Sequence, residues 1–293
     1  ITTFKGDASE NRYMAETFNF YLCPVSMGTC DPRFSVQASS IRFMAKHNFE
    51  FNKVLEMLGF TRVFRLLMGL TTPIVGHNLL MDLIFMYEKF HQPLPEVYPQ
   101  FKQDIHRLFP NIYDTKHISH CLRMRLEHLK LHTARNLQDL YDTLHSPSII
   151  NLTLMQPSIE RVDRSGSDMA EQIHQAGFDA FMCGSSFLRI CHILHFRNVN
   201  SMDVKACPFQ DYMVTMRSFC NCVNVIRAMV NYVKLDGEEP PSQRPPLIHV
   251  EVVQPGDKLV AHQLVLWFSM YGVVDIQMIN EKQAVVATSN FMT

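Results

Sequence analysis

The chain has 293 residues, 47% of them hydrophobic and 19% charged, with a formal net charge of −1. That composition supports a large buried core and excludes long disorder; the near-neutral balance excludes a global basic field, so any nucleic-acid groove has to be local. The eight cysteines form no Cys-x-x-Cys pair and no regular framework, which reads as reduced thiols of a cytosolic or nuclear protein. No apolar run of about 18 residues and no signal-peptide pattern occurs, so the sequence as given reads as soluble.

In chain order, residues 18–23 alternate apolar with polar or small side chains and predict a strand closed by Pro24. Residues 34–41 continue a meander or open a helix capped by Ser39 or Ser40. Residues 60–68 have helical spacing, 73–76 a short buried strand, and 79–90 an apolar helix stopped by Pro93 and Pro95. A helix over 100–109, a strand over 111–115 and an amphipathic helix over 136–144 follow. Residues 160–167 read as an exposed loop, 169–195 as a long helix with a possible break at Gly177, and 222–226 as a late strand. The Pro-rich stretch 237–246 is the clearest linker. It separates a large domain, 1–246, from a βαββ unit, 247–293, with strands at 247–253, 274–279 and 284–287 and a helix at 259–271. The pairs Trp267-Phe268 and Met270-Tyr271 are expected in the core of that unit. The order of elements implies an α/β fold.

The stretch His174-Gln-Ala-Gly-Phe-Asp179 carries the sharpest chemical signal. On an unbroken helix, five residues rotate about 500°, leaving the two side chains roughly 140° apart. A break at Gly177 would let both face one cleft. Asp82 ends a second segment, Ile74-Val-Gly-His-Asn-Leu-Leu-Met-Asp82. Two carboxylates and a histidine suit metal-assisted phosphodiester hydrolysis, with the acids holding hard cations and the imidazole taking a proton from water. Asn78 and Asp82 share a face if they share a helix. His77 reads as a satisfied core or backbone-bonding residue. The stretch holding His117, His120, Cys121, His128 and His132 reads as a surface helix in preference to a zinc site, because it lacks the Glu of a zinc hydrolase motif.

Several motifs in order resemble the poly(A)-specific ribonuclease branch of the DEDDh 3′→5′ exonucleases. They are Ala38-Ser-Ser-Ile-Arg-Phe43, Phe49-Glu-Phe-Asn-Lys53, Val75 to Asp82, Tyr113-Asp-Thr-Lys116 and His174 to Phe181. Glu88-Lys-Phe-His-Gln-Pro-Leu-Pro95, Gln100 to His106 and Ser242-Gln-Arg-Pro-Pro246 are most similar to the Trimmer-type enzymes of that branch, which trim pre-piRNA 3′ ends. The resemblance implies an RNase H-like mixed sheet flanked by helices, followed by a partial RNA-recognition-like domain. It implies a centre of two Mg²⁺ ions, with Mn²⁺ as a substitute, held partly by Asp82 and Asp179, with His174 as general base. It further implies Ile41, Phe43, Asn78 and Lys116 as substrate-binding residues.

Other expectations also rest on the resemblance. The substrate is single-stranded RNA, the recruiting partner a Tudor/KH-type or PIWI-type protein, and the location the mitochondrial outer membrane, reached through a C-terminal segment outside this sequence. The family's first motif, Asp-x-Glu on an opening strand, is not found; Asp236-Gly-Glu238 sits in the linker and is a decoy. The family's inserted domain would fall near 53–59. Two other functions stay open at this point: a general poly(A) deadenylase, and a catalytically inactive RNA- or protein-binding relative.

Overall fold

Alternation of inward and outward side chains builds the first sheet of this computed structural model. The residues described are 1–20, 37–46, 61–123, 134–150, 155–162, 176–198, 206–226, 228, 230–242, 247–254, 256–271 and 274–288. Strands β1 (Thr2–Asp7) and β2 (Arg12–Thr17) form an antiparallel hairpin, with Thr2 opposite Thr17 and Asp7 opposite Arg12. The Asp7 carboxylate closes its turn by accepting from the amides of Ser9 and Glu10 and the Ser9 hydroxyl. Tyr13 and Ala15 point inward and are buried. The sequence placed the first strand later, at 18–23. Residues 18–20 instead lie past the end of β2, and 21–23 fall outside the described residues. The Asp7–Ser9 turn is the signal that reading overlooked.

Helix α1 spans Ala38–Lys46 and α2 spans Thr61–Leu67. Ser39 and Ser40 lie inside α1, so neither is its cap. Strand β3 (Ile74–Gly76) leads into α3 (Leu80–Met86), which widens into a π turn at Tyr87–His91. The expected helix over 79–90 is therefore two segments, and Gln92 ends it in extended backbone ahead of Pro93. Helix α4 (Tyr98–Leu108) returns the chain to β4 (Ile112–Asp114). Strands β3 and β4 pair in parallel, with Gly76 opposite Asp114.

Helix α5 (Thr115–Leu122) follows β4 directly, and α6 (Leu137–Leu144) is capped by the Asn136 side chain, which accepts from the Asp139 amide at 2.8 Å. Pro147 does not merely end α6; it opens the short α7 (Pro147–Ile150), where its missing N–H is harmless. Strand β5 (Ser158–Val162) then runs parallel beside β2 and occupies part of the stretch expected as a loop. Glu160 and its neighbours are strand residues on a half-exposed edge, which explains their polar composition.

The central element is α8 (Ala176–Asn198), which packs on β1, β2, β3 and α6. Almost every residue from Phe181 to Ile193 is buried, so its helix signal is apolar all round rather than one stripe. Phe187, Ile190 and Cys191 meet Tyr113, Ile118, Leu140 and Leu144 in the main core. Gly177 is inside the helix and makes no break between 176 and 198. Its bare Cα allows close approach: a Cβ there would stand 2.5 Å from Thr17 Cγ2. Gly184 plays the same part beneath the Phe4 ring, 2.1 Å from where a Cβ would fall. Helix α9 (Phe209–Met216), β6 (Cys222–Asn224) and β7 (Tyr232–Lys234) follow.

The chain divides into two compact units, Ile1–Asn224 with Lys234–Gly237, and Val225–Val233 with Glu238–Thr293. The second contains β8 (Ile248–Glu251), α10 (Ala261–Phe268), β9 (Val274–Asn280) and β10 (Gln283–Thr288), with sheet order β8-β10-β9, all antiparallel. Leu264, Ala284 and Val286 are buried. Trp267 and Met270, expected in this core, are 60% and 77% exposed; Leu264 is the buried residue of α10, and Met270 lies in the turn beyond it. Among the described residues, no helix is long and apolar enough to cross a membrane.

Candidate active site

Asp114 ends β4 and begins α5, and its carboxylate is fully buried. It accepts four backbone N–H groups: Asn78 at 2.8 Å and Lys116 at 2.9 Å on Oδ1, Leu79 at 3.0 Å and Asn224 at 2.9 Å on Oδ2. Four amide donors satisfy a buried carboxylate without a counter-cation. This acid therefore organises its surroundings. It caps α5, fixes the turn after β3 and ties β6 to both. Asn78 sits at φ 62°, a left-handed conformation that Asn tolerates, and its side-chain oxygen accepts from Asn224 Nδ2 at 2.8 Å.

The fixed turn starts α3 at Leu80, with Asp82 in its first turn. Asn78 is thus outside the helix that carries Asp82, contrary to the expectation that the two share a helical face. Asp179 occupies the first turn of α8, and Cys183 lies one turn further along on the same face. Burial pushes the Cys183 thiol up to about 12, and the charges of Asp179, Asp114 and Asp82 all add to that shift. The three carboxylates converge electrostatically on one thiol, from three elements separated by up to 97 positions in sequence. The Asp82 side chain is solvent-accessible but crowded by protein. Partial desolvation, with the Asp114 charge adding to it, raises its carboxyl above the usual range.

His77 sits between the strand ends. Its Nδ1 is 3.0 Å from Thr115 Oγ1, and that hydroxyl gives its only proton to the Gly76 carbonyl at 2.8 Å. The imidazole Nδ1–H must therefore be the donor, which leaves Nε2 unprotonated in the neutral ring. Burial lowers His77 to about 4; Asp114 pulls it up and Lys116 pushes it down. His117 is also buried, with Cys121 Sγ 3.5 Å from its Nε2. Its helix therefore does not present that residue to solvent as expected; His128 and His132 lie outside the described residues.

Of the sequence-expected site residues, Asn78 and Lys116 give their amides to Asp114, and Asp82 and Asp179 both act through their charge on the Cys183 thiol. Lys116 is half-buried, and its ammonium donates to the Arg135 carbonyl at 2.7 Å. Phe43 lies on α1 and is 51% exposed, whereas the Ile41 side chain and all of His174 fall outside the described residues. Asp236, the decoy, makes an ion pair with Lys234 at 2.8 Å. Asp114, Asn224 and Cys183 escaped the sequence reading. An Asp directly before a helix is an N-cap signal that marks Asp114; Asn224 has no local signal at all.

Hard divalent cations take carboxylate oxygens. Asp82 fits that need: among the described residues no cation pairs with it, and a neighbouring carboxylate repels its charge. Asp179, in the first turn of α8, is a candidate second acid. Asp114 is spent on amides. Asp82 and Asp179 could serve as two of the roughly four carboxylates that a two-ion centre requires.

Comparisons with known proteins identify the family. Residues 1–57 and 53–187 match the CAF1 family ribonuclease description. The chain is 32% identical over 249 residues to a pre-piRNA 3′-exonuclease trimmer of Bombyx mori, covering 82% of this chain and 44% of that protein. It is 33% identical over 245 residues to the human poly(A)-specific ribonuclease PNLDC1, with 82% and 45% covered. Against the human poly(A)-specific ribonuclease PARN the figures are 25% over 255 residues, with 83% and 36% covered. The chain therefore spans less than half the length of these relatives. Family matches across nearly two thirds of the residues, including the segments that carry Asp82, Asp114 and Asp179, establish that the chain belongs to the CAF1 ribonuclease family and so to the RNase H-like exonuclease fold.

Proposed function

We propose that this chain is the catalytic part of a Mg²⁺-dependent 3′→5′ exoribonuclease that trims single-stranded RNA 3′ ends, with pre-piRNA as the substrate class. The observation that carries it is the convergence of Asp82 and Asp179 beside Asp114, around the Cys183 thiol. Asp82 and Asp179 would hold the metal. A bound divalent ion supplies an activated water and charge stabilisation at the leaving 3′ oxygen. His174 is our candidate for the base that takes the proton from water, on the resemblance of its motif. Asn78 is held by Asp114 and Asn224 at the edge of this group and would position the terminal nucleotide. Lys116, Ile41 and Phe43 would line the path of the RNA, Phe43 by stacking.

The trimming reading is favoured over general deadenylation by the 32% identity to the trimmer-named relative, against 25% to the poly(A)-specific ribonuclease PARN. The second unit, with sheet order β8-β10-β9, would be an RNA-recognition-like module. A Tudor/KH-type or PIWI-type recruiting protein and a mitochondrial outer-membrane location rest on the resemblance alone.

The test is an RNA-trimming assay on full-length protein in Mg²⁺, with mixed-sequence RNA and poly(A) side by side. Asp82→Asn and Asp179→Ala should each lower trimming on the order of a thousandfold with circular dichroism unchanged. Equal trimming by wild type and variants would overturn the proposal. A strong preference for poly(A) would favour the deadenylase, and no turnover by wild type would favour a binding protein.

A further inference from the structure

The far end of α8 holds a second group of ligating side chains. His195, near the C-terminus of α8, meets Cys207 and Asp211, which flank the N-terminus of α9. One nitrogen, one sulfur and one carboxylate oxygen all lie within 4.8 Å of one another. Sixteen helical residues separate Asp179 from His195, about 24 Å along the axis. This group is therefore remote from the acids at the start of α8.

The donor set differs in kind from that site. Hard Mg²⁺ prefers oxygen alone, whereas thiolate with imidazole and carboxylate suits zinc. Bond lengths of about 2.0–2.3 Å in a tetrahedral centre put ligand atoms roughly 3.3–3.8 Å apart, so a small closure of this triad accommodates one ion. A supporting contact is already in place. His195 Nδ1 is 3.3 Å from Thr215 Oγ1, and that hydroxyl donates to the Asp211 carbonyl at 3.1 Å. The ring Nδ1–H is then the donor to Thr215, leaving a lone pair on Nε2, the tautomer arrangement that outer contacts impose on metal-binding histidines. Asp211 is exposed, and among the described residues its carboxylate has no hydrogen-bond or ion-pair partner.

We propose that His195, Cys207 and Asp211 form a zinc site that clamps the end of α8 to the start of α9, with water as the fourth ligand. Binding would displace the Cys207 proton to solvent as the sulfur–zinc bond forms, with no change in oxidation state. The site would tie the end of α8 to the start of α9, a structural role separate from RNA cleavage.

Cobalt(II) titration of the purified full chain, followed by zinc competition, tests this. Wild type should bind one equivalent, with a thiolate-to-cobalt charge-transfer band and the visible absorption of a tetrahedral centre, and zinc should abolish both. Cys207→Ser should lose the charge-transfer band, and His195→Gln should weaken binding at least about 100-fold. Asp211→Asn, at an exposed position that leaves the fold intact, should weaken it about 10- to 100-fold, and it decides the matter if Cys207→Ser fails to fold. Asp82→Asn should keep the band, which separates this site from the acids at the other end of α8. Absence of the band in wild type, or its persistence in Cys207→Ser, would overturn the proposal, as would unchanged affinity in Asp211→Asn.

Discussion

The Asn224 side chain donates to Asn78 Oδ1 at 2.8 Å, across 146 positions of chain, while both residues give their backbone amides to Asp114. The candidate active site is therefore held by a polar knot beneath it, and the acids above depend on that knot for position.

Replacing Asp114 tests the knot. In Asp114→Asn, one acceptor oxygen becomes an NH₂ that faces two backbone donors. Buried amides then lose their partners, and stability should fall by about 2–4 kcal/mol. Urea unfolding measures this; a loss below about 0.5 kcal/mol would show that the four bonds do not hold the site.

Gly177 lets the start of α8 lie against β2. In Gly177→Ala the new Cβ would meet Thr17 Cγ2 and Asn19 Oδ1, both 2.5 Å away. The first turn must shift, and Asp179 moves with it. We expect RNA trimming to fall about 10- to 100-fold, with a stability loss of only about 1–3 kcal/mol. Unchanged turnover would mean that Asp179 tolerates displacement.

Stability should drop in mild acid. The folded-state values of His77 and His117 are depressed to about 4, chiefly by burial, against 6.5 for the free side chain. As pH falls, the unfolded chain takes protons first, so the stabilisation is complete above about 6.5 and drains away toward 4. After allowance for solvent screening, each contributes on the order of 1–2 kcal/mol. His77→Asn should flatten the pH dependence of the urea midpoint between pH 7 and 4.5; an identical slope would count against this account.

Asp82 makes a prediction of opposite sign for stability and binding. Its carboxyl is raised by partial desolvation and then by the Asp114 charge, so ionisation of Asp82 works against folding as pH rises through its folded-state value. Without metal, Asp82→Asn should melt at or slightly above the wild-type temperature. Added Mg²⁺ should raise the wild-type midpoint and leave the variant unmoved. Equal Mg²⁺ shifts in both proteins would remove Asp82 from the metal site.

Local chemistry made much of the framework legible. The short strand at Gly76, the amphipathic helix after Asn136 and the stop ahead of Pro93 each declare themselves within a few residues. Two of the differences have a plain physical reason. Half-exposed β5 carries polar residues that imitate a loop, and α10 turns Trp267 outward although its composition suggests a core helix. Gly177 reads as a break in sequence and serves as a close-approach position in space.

The sequence by itself offered the candidates for chemistry, carboxylates at 82 and 179 and a family pattern that orders them; the structure puts each in the opening turn of a helix. Only the tertiary structure decided how they are supported. Asp114 became a fully satisfied hub because α5, the turn after β3, and β6 bring amides from 36 positions before it and 110 after it to one carboxylate. No local pattern encodes such a meeting, because hydrogen bonds between distant segments are selected by the packing of the sheet and α8, not by neighbours in the chain.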